Sequence, residues 1–129
     1  MKYLQMSNKK LAVLLLRVVT GINFFMHGAV RVLGDYSGFA EGMVNDFGDT
    51  FLHPISVKLL AFAIPILELI IGAILITGFK LRAGLVLGFL LIAVLIFGTS
   101  LRQEWGIIGS QMIYVLSLFF ILYFQDEKS

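Results

Sequence analysis

Four ionisable side chains stand in otherwise apolar surroundings: Arg17, His27 and Arg31 within residues 11–33, and Glu68 as the only full charge after Lys58 in residues 56–78. Guanidinium, imidazole and carboxylate groups placed this way suit two kinds of chemistry. They can move protons, or they can hydrogen-bond the polar head of a quinone-like ligand. They equally suit a buried ion pair that does no chemistry and only fixes how two helices pack. His27 is weaker evidence alone, because a lone histidine on a helix face is more often a satisfied packing residue than a ligand. His53, next to Pro54, reads as a turn residue.

What else the chain can do is narrowed by what it lacks. It has no cysteine, which removes disulfides, thiolate zinc sites and iron-sulfur ligation. With two histidines in all, no metal site is expected, and any cofactor must be bound or supplied by a partner; a quinone is the candidate. The formal charge of +2 comes from cations spread among short segments, so nucleic-acid binding is discarded.

The elements that must position these groups are membrane spans. Of 129 residues 59% are apolar and 14% charged, against about 25% charged in a soluble domain, and the lipid bilayer is therefore the first partner. A hydrocarbon core needs roughly 20 apolar residues to cross it. Residues 11–33, 56–78, 81–101 and 107–124 meet that length, which predicts a single all-α domain, an integral membrane bundle of four transmembrane helices. A positive start before 11–16 resembles a signal peptide, but Arg17 interrupts the apolar run and no small-x-small site follows, so it is expected to stay attached.

Helical spacing assigns faces to these spans. Arg17, Gly21, Phe24, Gly28 and Arg31 share one face of the first, with His27 at its edge, and Ala61, Glu68 and Gly72 share a face of the second. Gly84, Gly88 and Gly98 repeat along the third, a packing signal common in membrane helices. Gln111, Tyr114 and Ser117 recur near one face of the fourth, and Gln111 and Tyr114 are expected to hydrogen-bond between helices. Between the first two spans, Phe39, Met43, Val44, Phe47 and Phe51 follow helical spacing among Asp35, Glu41, Asp46 and Asp49. A short amphipathic helix at the outer interface is predicted there, covering the bundle mouth or gating a site.

Counting cations in the short connections places both termini in the cytoplasm, since Lys2, Lys9, Lys10, Lys80, Arg82 and Lys128 then lie inside and only Lys58 and Arg102 outside, with Arg31 near the outer rim. A buried acid needs a partner. Arg17 lies about 9 Å from the cytoplasmic end of its span. Glu68, about 18 Å from the opposite end, lies about 12 Å from that face. An Arg17–Glu68 ion pair is the expectation, with His27 and Arg31 nearer the outer side.

Several of these residues, Arg17-Val-Val-Thr-Gly21, Phe25-Met-His-Gly28 with Arg31, Phe39-Ala-Glu-Gly-Met43, and Pro65-Ile-Leu-Glu68 with Gly72 and Gly78, occur together in a pattern that resembles the DoxX-like membrane proteins, related to the DoxD and DoxX subunits of thiosulfate:quinone oxidoreductase. The resemblance covers about 14–101. It implies a four-helix bundle in a bacterial cytoplasmic membrane and makes Arg17, His27, Arg31 and Glu68 a candidate buried polar cluster. Two functions are expected from it: a membrane subunit of a quinone-linked redox complex, its cluster bordering the quinone or substrate pocket, or a non-catalytic subunit that assembles with or anchors a partner. A protein partner or a homo-oligomer is implied either way. A cavity at the cluster favours the first, and side chains closed on one another favour the second.

Overall fold

In the computed structural model, which describes residues 5–125, the chain forms five helices: α1 (Asn8–Leu33), α2 (Tyr36–Asp46), α3 (Pro54–Thr77), α4 (Leu81–Leu101) and α5 (Trp105–Phe124). Lys2 and Lys128, counted above for orientation, lie outside the described residues, as does most of the charged tail. The boundaries follow capping chemistry. Ser7 accepts from the Lys10 amide at 3.3 Å and Asp35 from the Gly38 amide at 2.9 Å, so each satisfies a donor that its helix start leaves free. His53 also caps: its Nδ1 accepts from the Ile55 amide at 3.2 Å, with Pro54 in the first turn where its missing N–H costs nothing. At the other end of α3, Gly78 takes a left-handed φ of 80°, which lets the chain reverse into α4 within two residues.

α1, α3, α4 and α5 are each long and apolar enough to cross a membrane. They form the expected four-helix bundle, with α3 packed against α1, α2 and α4, and α5 closing the ring onto α1. Leu15, Val19, Ile66, Ile70, Val86 and Leu90 stay uncovered on the outer faces, which is the arrangement lipid chains require. The core holds Phe24, Ile64, Ile71, Leu75, Leu85, Ile92, Leu118 and Ile121.

The tightest contact is between α1 and α3. A Cβ added at Gly72 would strike the backbone of Gly21 and Phe25, one at Gly28 the backbone of Pro65 and Leu69, and one at Gly21 Leu75 and Ile76. The two backbones are therefore in direct contact through glycine, as close-packed membrane helices often are. These contacts also set the antiparallel register: Gly21 faces Leu75, Phe25 faces Gly72, and Gly28 faces Leu69.

α2 lies across one end of the bundle, mainly on α3. It is the short helix expected from the apolar spacing, but it stops at Asp46. Phe47 is buried just past its end, against Gly98 of α4, while Phe51 is 76% exposed and takes no part in the helix face. The Tyr36 hydroxyl donates to the Phe62 carbonyl. That carbonyl is next to the Ala61 carbonyl, which Pro65 leaves without its intrahelical donor.

A larger residue at the α1–α3 contact should push the helices apart. Gly72→Val is expected to lower stability by about 1–3 kcal/mol or more, while Gly109→Ala, where an added Cβ meets nothing, should lose none. Unfolding of the detergent-solubilised variants measures this, and a Gly72→Val protein as stable as wild type would mean that the two backbones are not in contact.

Candidate functional site

Glu68 is on the inner face of α3, its side chain 7% exposed, and its Oε1 accepts from Nη1 of Arg31 at 2.9 Å. Arg31, in the last turn of α1, is 33% exposed, and its guanidinium lies 4.6 Å above the ring of Phe39 on α2. One cation thus joins three helices: it is paired with the acid of α3, carried by α1 and stacked on an aromatic of α2.

The expected Arg17–Glu68 pair does not form. Arg17 lies beside Gly78, ten residues further along α3, which is about 15 Å along the axis. The error in the expectation is one of level. It treated the two spans as starting and ending at the same depth, whereas α3 begins well beyond the end of α1 and its first turns are covered by α2. With Gly28 opposite Leu69, the carboxylate of Glu68 meets the Arg31 end of α1 instead.

His27, expected in a buried cluster, is exposed, one turn before Arg31 on the same side, because the face of α1 that packs on α3 is the glycine face and His27 lies at its edge. Its Nδ1 donates to the Asn23 carbonyl at 2.7 Å, since a carbonyl can only accept. In the neutral ring Nε2 is left as an acceptor. Asn23, His27, Arg31 and Glu68 line one side of a partly open cavity of about 500 Å³. Phe24, Phe39, Phe47, Ile64 and Ile92 supply apolar wall, and all five helices contribute to its lining.

The opposite side is made by α4 and α5. Gln111 donates through Nε2 to Thr99 Oγ1 at 2.9 Å, and Thr99 in turn donates to the Leu95 carbonyl at 2.7 Å, so Gln111 does bridge two helices. Its Oε1 is buried and has no partner. Tyr114 does not make the expected interhelical hydrogen bond among the described residues; it meets α1 through its ring instead, 6.2 Å from that of Phe24, with both side chains on the cavity wall. At the α2 end, Arg102 stacks 5.5 Å from the Phe47 ring and approaches Asp46 at 3.8 Å, tying the end of α2 to α4.

Thr99, Arg102, Phe39 and Phe47 were not among the sequence candidates for the site. Phe39 and Phe47 carried a signal, as members of the apolar stripe of α2. Thr99 and Arg102 carried none, because their roles depend on which residues α5 and α2 bring opposite them.

Among known proteins, the family whose model matches is described as DoxX, over residues 12–100. No curated protein and no solved structure matches the chain.

The pairing can be tested by double-mutant cycles. Glu68→Gln is expected to cost about 1–3 kcal/mol, at the lower side of buried pairs because Arg31 is partly exposed. Combined with Arg31→Met its effect should be non-additive by about 1 kcal/mol, and combined with Arg17→Gln additive within about 0.5 kcal/mol. Coupling of Glu68 to Arg17 rather than to Arg31 would refute the assignment.

Proposed function

The chain belongs to the DoxX family, and on that premise we propose that it is a membrane subunit of a quinone-linked redox complex, of a sulfur-compound-oxidising or related kind, whose cavity beside Glu68 receives the quinone head group. The observation that supports this is the cavity itself. An ion pair serving packing alone would be closed in by side chains, whereas Arg31 and Glu68 border a space of about 500 Å³, within the range of about 300–1,000 Å³ of small-molecule sites.

The donor set fits such a head group. A quinone carbonyl needs a hydrogen-bond donor, and Arg31 retains N–H groups beyond the one used on Glu68. A quinol hydroxyl needs an acceptor, and His27 Nε2 supplies one on the same wall. Phe24, Phe39 and Tyr114 offer apolar ring faces between the polar groups. When bound, a quinone supplies coupled uptake and release of electrons and protons. In that setting Glu68 holds the Arg31 guanidinium in one orientation, His27 takes or returns a proton at Nε2, and α2 limits the access of water from its end of the bundle.

A second reading, a non-catalytic subunit that assembles with or anchors a partner, is favoured by α5. Gly106 and Gly109 have open space where a side chain would stand, and Ile113, Leu116 and Phe120 are uncovered. In either role the family suggests a bacterial cytoplasmic membrane, and Lys9, Lys10, Lys80 and Arg82 at the terminal end of the bundle support an orientation with both termini inside.

The test combines identification with binding. Protein purified gently from its native membrane should carry stoichiometric quinone on solvent extraction and co-purify with a redox partner. A short-chain benzoquinone analogue should raise its melting temperature, with at least about fivefold weaker apparent affinity in His27→Ala. An extract without quinone, together with no shift by the analogue, would remove the redox reading and leave the assembly role.

A further inference from the structure

The cation that does not reach Glu68 has its own surroundings, and they point to a ligand from the membrane. The guanidinium of Arg17 is laid across the bare backbone of Gly78, its Nη1, Cζ and Nη2 lying 3.0, 3.2 and 3.3 Å from where a Cβ would stand. Gly78 has no side chain to displace it and a φ of 80° that disfavours one. Arg17 Nε is buried without a partner, and the side chain makes no ion pair or hydrogen bond among the described residues. A guanidinium with five donors and none used is an incomplete site.

Among the described residues the charge at this end is one-sided. Lys9 and Lys10 begin α1, and Lys80 and Arg82 flank the turn that contains Gly78. The described carboxylates, Asp35, Glu41, Asp46, Asp49, Glu68 and Glu104, all belong to the other end of the bundle or its middle. The protein therefore gathers cations at this end and provides no described acid to neutralise them.

We infer that Arg17, with the α3–α4 turn and Lys80, forms a binding site for the phosphate of an anionic phospholipid. A guanidinium placed within a turn or two of a span's end reaches head-group level, where phosphate oxygens match its planar fork. Basic pockets between spanning helices hold anionic head groups in this way. The excess of cations at this end of the bundle favours a lipid of net negative charge, because a choline head group would add a further cation there. Phe79, next to Gly78 and 71% exposed, adds an aromatic at the end of the span, a position where aromatic rings are enriched in membrane proteins.

The experiment uses the full chain in a non-ionic detergent. Phosphatidylglycerol, phosphatidylcholine and inorganic phosphate are each added to wild type, Arg17→Gln and Arg82→Gln. Native mass spectrometry reads lipid retention and thermal melting reads stabilisation. Phosphatidylglycerol should be retained at least about fivefold more strongly than phosphatidylcholine by wild type and by Arg82→Gln, and Arg17→Gln should lose that preference and most of the melting shift. Should Arg17→Gln not purify folded, Arg17→Lys takes its place, keeping the charge without the planar fork, and a fall of at least about threefold is expected. Undiminished phosphatidylglycerol preference in the Arg17 variant overturns the site, as does an equal shift by phosphatidylcholine. An equal shift by inorganic phosphate would make it a site for the free ion rather than for a lipid.

Discussion

Everything distinctive in this bundle depends on how closely α1 and α3 approach. Glycines on both helices remove the side chains that would keep the backbones apart, and they mark the register of the contact, since a Cβ at Gly28 or Gly72 would strike the backbone of the other helix. That register decides which charges meet. It places Arg31 and His27 at the level of Glu68 and carries Arg17 away to the end of α3. In a medium where an unpaired charge is costly, a packing contact made of glycine and backbone thus sets the electrostatics of the whole interior.

The site differs from a simple buried pair in that α2 takes part in it. Arg31 stacks on Phe39, Arg102 stacks on Phe47, and the Tyr36 hydroxyl is bonded to α3. The helix that closes the cavity is held by the same cations that polarise it. Within α2 itself only Ala40 is fully covered, so the cation–ring contacts and the buried Phe47 side chain add to what holds it. A change in the partner of Arg31 therefore acts on two things at once, the acid of α3 and the seating of α2.

Among the described residues the bundle is also electrically polarised from end to end. Acidic residues gather on and after α2, and cations gather where α1 begins and α3 turns into α4. Glu68 is the exception that lies between, and it is matched locally by Arg31. Arg17 is matched by nothing in the described protein, although its guanidinium is held in a defined place over Gly78. A membrane protein has a neighbour that a soluble one lacks, and a lipid phosphate is the counter-charge available at that depth.

Much of the architecture was legible in the amino-acid sequence, for a physical reason: spanning a hydrocarbon layer demands a length of apolar chain that local composition reveals directly. The spans, the tight α3–α4 turn at Gly78, the short helix before α3 and the buried faces of α1 and α3 all follow from residue type and spacing, because each is a property of one segment. The partner of Glu68 is not such a property. Arg17 and Arg31 lie on the same face of α1, and choosing between them requires the axial offset of two helices, which is set by where glycine permits contact and by α2 covering the start of α3. The Gln111–Thr99 bond and the Arg102–Phe47 stack were hidden for the same reason. Local sequence determined which helix faces would meet, but of the four ionisable groups on them only Glu68 is buried while His27 is exposed, because only the tertiary contact between backbones decided how far each would be covered and which would face one another across a cavity.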